Sequence, residues 1–320
     1  MFNLIEEVKD AGTIGIGGHV RPDGDCVGST VALLLFLQKR FPEKRVDLFL
    51  EKYPDVFRDL KGTEQIRTDF QTEVETYDVF FCVDCAAERL GDARKYFDQA
   101  KKTINVDHHI SNSGCGMINF VVPTASSASE LVYELLEGEE LDVDIARAIY
   151  TGIIHDTGVF QYSCTSPHTM EIGAKLIGYG FDFSKLIAET FYEKTYLQTQ
   201  ILGRALLESI QFMDGHCTVS CVEQRTMEFY GVTSSDLDGI VNQLLNIKGV
   251  DCAVFMYQTG ALQYKVSMRS NEKVNVAQIA QLFGGGGHVR AAGCTMTGTF
   301  HDCINNLSVH IEKQFMLGQQ

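Results

Sequence analysis

No apolar run in this 320-residue chain approaches the roughly 18 residues that a membrane-spanning helix requires. The longest candidate, Val31 to Leu37, falls far short, which leaves no membrane segment to expect. The start, Met1-Phe2-Asn3-Leu4-Ile5-Glu6-Glu7, lacks the basic residues and apolar core of a secretory signal, so the chain reads as cytoplasmic. A basic stripe of the kind that grips long nucleic acid is also missing. Lys and Arg number 27 against 42 Asp and Glu, for a formal charge of −15. This argues against tight binding of long duplexes. It does not exclude nucleotide chemistry, because bound divalent cations reverse the local sign of a site. Any polyanion it handles should be short. There is no internal repeat, no low-complexity tract, and no second CxxC pair to complete a zinc site around Cys82-x-x-Cys85. The 10 cysteines, Cys217 and Cys221 among them, are scattered as in a reducing compartment and read as packing thiols.

What remains is an ordinary globular composition, 45% hydrophobic, with length enough for two domains. Short apolar strands alternate with helical periodicity in the first half. Strands are expected at Thr13–Gly17, Val46–Leu50, Val79–Val83, Thr103–Val106 and Met117–Val122. Helices are expected at Ser29–Arg40, at Ser126–Glu137 capped by Thr124 or Ser126, and from Asp142 to Ile154. Such alternation implies an α/β fold with a parallel sheet covered on both faces. A helical connector over residues 184–207 separates this domain, residues 1–183, from a smaller mixed α/β domain, residues 208–320. In the latter, Ser209–Met213, Cys217–Val222, Cys252–Tyr257 and Leu262–Met268 read as strands. Asp214-Gly215 and Gln258-Thr259-Gly260 read as hairpin turns, and Val276–Leu282 as a helix.

The acids and histidines fall where a parallel sheet would gather them. The first strand runs into Gly18-His19-Val20-Arg21-Pro22-Asp23-Gly24-Asp25, the third into Asp84, and the fourth into Asp107-His108-His109. All three points lie on the carboxyl edge, where open α/β sheets bind ligands. Asp156 follows a helix in Ile154-His155-Asp156-Thr157-Gly158. Each segment alone has a plain alternative, as a turn, a surface loop or a core histidine. Together they form an oxygen and imidazole set suited to Mn²⁺ or Mg²⁺, with imidazole favouring Mn²⁺. Gly15-Ile16-Gly17-Gly18 only superficially resembles a dinucleotide-binding turn, because the phosphate-loop spacing is missing. In the second half, Gly284-Gly285-Gly286-Gly287 reads as a loop whose bare N–H groups can approach an anion. His288, Arg290 and Arg269 are placed to complete a phosphate clamp, guanidinium binding phosphate bidentately.

In combination and order, four segments resemble the motifs of DHH phosphoesterases: Gly18-His19-x-x-Pro22-Asp23-Gly24-Asp25-x-x-Gly28-Ser29, then Val83-Asp84, Asp107-His108-His109, and Thr151-Gly152-Ile153-x-x-Asp156-Thr157-Gly158. The glycine run with His288 resembles the hallmark loop of the associated DHHA1 domain. The resemblance spans nearly the whole chain, and its compact length is similar to the NrnA-type members, which degrade nanoRNA and dephosphorylate 3′-phosphoadenosine 5′-phosphate (pAp).

The resemblance implies two Mn²⁺, with Mg²⁺ or Co²⁺ as substitutes. His19 and Asp23 would hold one ion, and Asp25, His108 and Asp156 the other, with Asp84 bridging both. Asp107 would orient an imidazole, and His109 would face the substrate phosphate. Arg269, Gly285, Gly286, Gly287, His288 and Arg290 would bind the far end of a short single-stranded RNA, a dinucleotide or pAp. It implies release of nucleoside 5′-monophosphates from dinucleotides to pentanucleotides, without a role for long duplexes or membranes. A homodimer is the expectation from the apolar connector. The rival readings are a pApA or cyclic di-AMP phosphodiesterase, and a nucleotide-binding module without turnover, which would predict a damaged metal set.

Overall fold

The computed structural model describes residues 3–317 apart from Glu137 and Glu272, with the backbone alone for His288 and Leu317. The chain forms two compact units that part between Glu193 and Lys194.

The first unit runs α1 (Leu4–Val8), β1 (Thr13–Gly17), α2 (Gly24–Arg40), β2 (Arg45–Phe49), β3 (Val79–Val83), α3 (Arg94–Gln99), β4 (Lys102–Asp107), β5 (Ile118–Val121), α4 (Ala128–Leu135), α5 (Val143–Asp156), α6 (Pro167–Ile177) and α7 (Phe183–Ile187). Its five strands are all parallel, in the order β2-β1-β3-β4-β5. The order reverses between β1 and β3, and the crevice outside the carboxyl ends of those two strands is where a doubly wound sheet binds its ligand. Strand β3 is buried throughout. Val79, Phe81 and Val83 join the core beneath α2, α4 and α5, while Phe80 and Cys82 join an aromatic cluster with Phe49, Tyr77 and Phe97 on the opposite face. The unbroken apolar run thus reports a strand covered on both sides.

Helix α2 begins at Gly24, five residues before the expected Ser29. Pro22-Asp23-Gly24-Asp25 is not a free turn. The Asp23 carboxylate caps the helix, accepting from the amides of Asp25 and Cys26 at 3.1 Å each. Helix α4 is capped by Ser127 rather than Thr124 or Ser126. Its first turn is also held from outside, as described below. Helices α2 and α5 cross backbone to backbone at Gly28, where a Cβ would lie 2.6 Å from the Ala148 carbonyl oxygen.

The continuous helix expected over residues 184–207 is broken. Helix α7 passes into a π-helical turn, Ala188–Tyr192, and the chain is extended at Glu193. A new helix, α8 (Tyr196–Leu207), starts from a Thr195/Gln198 capping box. Reciprocal capping satisfies two amides at a helix start, so Thr195 makes a beginning where hydrophobic pattern alone suggested continuity.

The second unit continues with β6 (Ile210–Phe212), β7 (Cys217–Val222), α9 (Gln224–Tyr230), α10 (Ile240–Leu245), β8 (Cys252–Gly260), β9 (Gln263–Ser270), α11 (Val276–Leu282), β10 (Gly286–His288), β11 (Ala291–Thr297) and α12 (Phe300–Leu317). Its sheet has the order β10-β11-β9-β8-β7-β6 and is mixed, only β7 and β8 being parallel. One face packs on α11 and α12, the other on α8 and α10.

Candidate metal centre

The carboxyl edge of the first unit collects every metal-ligand candidate named from the sequence. His19 follows β1, Asp84 follows β3, His108 and His109 follow β4, and Asp156 ends α5. Asp23 and Asp25 arrive on the start of α2. The Asp84 carboxylate stands in the middle. Its Oδ2 lies 3.3 Å from His19 Nε2 and its Oδ1 lies 3.5 Å from His108 Nε2. Asp23 Oδ2 lies 3.6 Å from His19 Nε2 on the first side. On the other side, Asp156 Oδ2 and Asp25 Oδ2 lie 3.1 and 3.9 Å from His108 Nε2. Asp84 thus turns one oxygen toward each of two donor sets.

Asp84 is held there against preference. Its φ of 60° is left-handed, uncommon for a side-chain-bearing residue. Its amide is fixed to the Val106 carbonyl at 2.9 Å. The residue is buried and its Oδ1 has no hydrogen-bond partner. Desolvating a carboxylate oxygen without a donor is costly, and a divalent cation is the partner this arrangement fits.

Asp25 is anchored by the start of α4, its Oδ2 accepting from the Ala128 amide at 2.7 Å and its Oδ1 from Ser129 at 2.9 Å. Burial, then the charges of Asp84 and Asp156, hold its carboxyl well above the usual range. Asp156 is raised as well, chiefly by burial, with His108 opposing. Burial alone would lower the His108 imidazole, but the nearby carboxylates of Asp156 and Asp84 outweigh it and lift it to about 12. In the metal-free chain a protonated imidazole therefore serves as counter-ion to crowded carboxylates. Divalent cations would take over that role. His19 Nδ1 donates to the Val20 carbonyl at 2.9 Å, which directs Nε2 at the acids in the tautomer a metal ligand needs.

Asp107 is fully buried, with a carboxylate oxygen within 4.8 Å of ligand atoms of Asp84, His108 and His109. Its Oδ1 accepts from His109 Nδ1 at 2.7 Å and from the amides of His108 and His109 at 2.8 and 3.2 Å. Its Oδ2 accepts from Asn112 at 2.6 Å. Burial would raise this carboxyl, but the bonds from His109 and Asn112 prevail and lower it. Asp107 thus fixes His109, whose Nε2 points away from it. The polar chain continues to residues the sequence reading passed over. Asn112 also donates to Asn105 Oδ1 at 2.9 Å, and Asn105 donates to the carbonyls of Cys82 and Cys85 at 3.0 and 2.9 Å. An asparagine inside a buried strand, as at 105, was the available signal.

The second unit brings its own candidates together along the sheet edge. His288 pairs with Ala291, and Ala291 pairs with Arg269, so the three share one row across β10, β11 and β9. The glycine run, expected as a loop, is edge strand in its second half, Gly286 and Gly287 lying in β10. A Cβ on Gly285 would lie 2.2 Å from the Gly293 carbonyl oxygen, and one on Gly287 2.5 Å from that of Ala291. These two glycines are required by close packing on β11. The amides of Gly284 and Gly285 already bond Gln281 and Ala280. Arg290 Nη1 donates to the carbonyls of Asn271 and Val274, and Arg269 Nη1 to that of Met268 at 3.1 Å.

A doubly wound sheet with acids and imidazoles set around one strained, unsatisfied carboxylate at its switch point is the frame of a metal-dependent phosphoesterase. Residues 13–153 match the N-terminal domain of the DHH family and residues 215–316 the DHHA1 domain. The chain is 30% identical over 306 residues to the bifunctional oligoribonuclease and PAP phosphatase NrnA of Bacillus subtilis, covering 92% of each. Against the protein of the same name from Thermus thermophilus it is 30% identical over 304 residues, covering 93% of this chain and 89% of that one. The crystal structure of an exopolyphosphatase-related protein from Bacteroides fragilis superposes with a TM-score of 0.91 at 26% identity, over 98% of this chain and 96% of that one. The chain belongs to the DHH family of phosphoesterases, with a DHHA1 domain in its second unit.

Proposed function

We propose that this chain releases nucleoside 5′-monophosphates from dinucleotides to pentanucleotides of RNA, and converts pAp to AMP. The observation that carries the reading is the Asp84 carboxylate, 3.3 Å from His19 and 3.5 Å from His108. The names of the relatives from Bacillus subtilis and Thermus thermophilus support the substrate class.

His19, Asp23 and Asp84 would hold one divalent ion, and Asp84, Asp25, His108 and Asp156 the other, with Mn²⁺ favoured by the mixed oxygen and imidazole donors. Bound there, the ions supply Lewis acidity toward the phosphoryl oxygens and an activated water. The chain's residues do the rest. Asp25 is immobilised by the Ala128 and Ser129 amides, so its oxygens keep their places as charge develops. Asp107 accepts a hydrogen bond from His109 Nδ1–H, and in the imidazolium form the opposite nitrogen carries the second proton, which it presents to the phosphate or leaving oxygen. This is a general-acid role set by geometry. In the second unit, Arg269 on β9 and the edge strand β10 offer cationic and backbone donors suited to an anionic ligand. The formal charge of −15 disfavours longer RNA.

The test is a comparison of kcat/KM for pAp, pApA, cyclic di-AMP and a 5′-phosphorylated RNA ladder with Mn²⁺. The reading expects pAp and the shortest oligonucleotides to be cut fastest, with a steep fall on longer strands. Equal rates on a pentamer and a long strand would refute it, and a preference for pApA or cyclic di-AMP would move the substrate assignment to cyclic dinucleotide turnover.

A further inference from the structure

A thiol stands beside the carboxylates and imidazoles of the centre. Cys26 follows Asp25 in the first turn of α2 and is fully buried. Its Sγ occupies the space above Gly18, where a Cβ would lie 2.3 Å from it. The ligand atoms of His19, Cys26 and Asp84 all lie within 4.8 Å of one another, close enough to share one ion. The Asp84 oxygen on this side is Oδ2, 3.3 Å from His19 Nε2, while the unsatisfied Oδ1 faces His108. Asp23 is only half available there, since its Oδ1 already caps α2 through the Asp25 and Cys26 amides. The other side of the centre differs in kind. Asp25, His108 and Asp156 also lie within 4.8 Å of one another, and offer oxygen and nitrogen alone.

We propose that Cys26 is a metal ligand at the His19 end, and that it makes this end selective for a thiophilic divalent ion while the His108 end keeps the preference for Mn²⁺. The inference rests on the two-ion reading of the site. Thiolate favours Zn²⁺, Co²⁺ and Cd²⁺ over Mn²⁺, whereas carboxylate and imidazole discriminate less. As the sulfur–metal bond forms, the thiol proton passes to solvent, since a coordinating thiol is deprotonated. A cysteine that only packs would contribute to stability and leave metal choice untouched.

The experiment is a titration of the metal-free full chain with Co²⁺ under anaerobic conditions, followed by absorption. The expected result is visible ligand-field bands together with a thiolate-to-cobalt charge-transfer band in the near ultraviolet. Cys26→Ala and the nearly isosteric Cys26→Ser should keep the visible bands and lose the charge-transfer band. Cys82→Ser should keep both. Competition measurements should show Cys26→Ala losing Cd²⁺ affinity by at least the ~10–100-fold that removal of a supporting partner costs a metal site, with Mn²⁺ affinity little changed. Visible bands without charge transfer, or charge transfer that survives both Cys26 substitutions, would overturn the Cys26 assignment while leaving the two-ion reading in place. Failure of the wild-type chain to bind cobalt or manganese at all would overturn both.

Discussion

His109 and His108 are neighbours with different work, and the hydrogen bonds divide them. His108 turns Nε2 to Asp84, Asp156 and Asp25, while His109 is tied through Nδ1 to a saturated Asp107. Replacing His109 with Asn should therefore lower kcat by the ~10²–10⁴-fold typical of a lost acid–base group, with Mn²⁺ affinity nearly unchanged in a direct binding titration. A parallel collapse of metal affinity would assign His109 to the ions instead. Asp84→Ala should behave differently. It removes the one group facing both donor sets, so metal binding and nearly all turnover should go together. Retained turnover would break the bridging assignment.

Among the elements, the approach of α2 to α5 decides whether the acids meet. A Cβ at Gly28 strikes backbone, 2.6 Å from the Ala148 oxygen and 2.7 Å from the Gly152 nitrogen, and no rotamer can relieve it. Gly28→Ala should cost about 1–3 kcal/mol of stability, as overpacking does, measurable by denaturant unfolding of the metal-free chain. An unchanged midpoint would contradict the packing described. At the amino end of the sheet, Asp78 accepts from the Gly12 and Thr13 amides and pairs with Lys101 at 2.8 Å. Lys101 first, then those amides, pull its carboxyl from 3.8 to about 2. A carboxyl depressed in the folded state stabilises above its unfolded pKa, and that contribution fades as pH falls from about 4 through about 2. Asp78→Asn should thus cost about 1 kcal/mol at neutral pH, a figure reduced for partial exposure. The difference from wild type should close by about pH 2. A pH-independent difference would point to a steric cause.

The elements also show how far pattern reading reached. Thr13–Gly17 and Val79–Val83 form strands over those residues, because buried parallel strands write themselves as continuous apolar runs. Ends governed by side-chain oxygens were less visible. Asp23 opened α2 early, and Thr195 with Gln198 divided the expected connector. Both are capping effects, which periodicity does not carry. The convergence of His19, Asp25, Asp84 and His108 could be read because topology puts strand ends on one edge, whereas Asp156, at the end of α5, was placed with them by the family resemblance. The anchoring of Asp25 by Ala128 and Ser129, 103 and 104 residues away, could not, since nothing local records it. The glycine run was misread in part. Its composition announced close approach, but the partner at Gly285 and Gly287 is β11 itself.

For the whole molecule, the charge of −15 and the concentration of acids at one sheet edge belong to the same account. The crowded carboxylates call for cations, and an acidic chain suits the short ligands proposed above better than long polyanions. Among the described residues no helix is long and apolar enough to cross a membrane. The most direct test is the number and coupling of manganese ions bound per chain, by equilibrium dialysis with electron paramagnetic resonance. Two Mn²⁺ per chain with a spin-coupled signal, lost in Asp84→Ala, is the result predicted for ions joined through one carboxylate. Two Mn²⁺ that remain magnetically independent, or a coupled signal that survives Asp84→Ala, would contradict a centre built on Asp84.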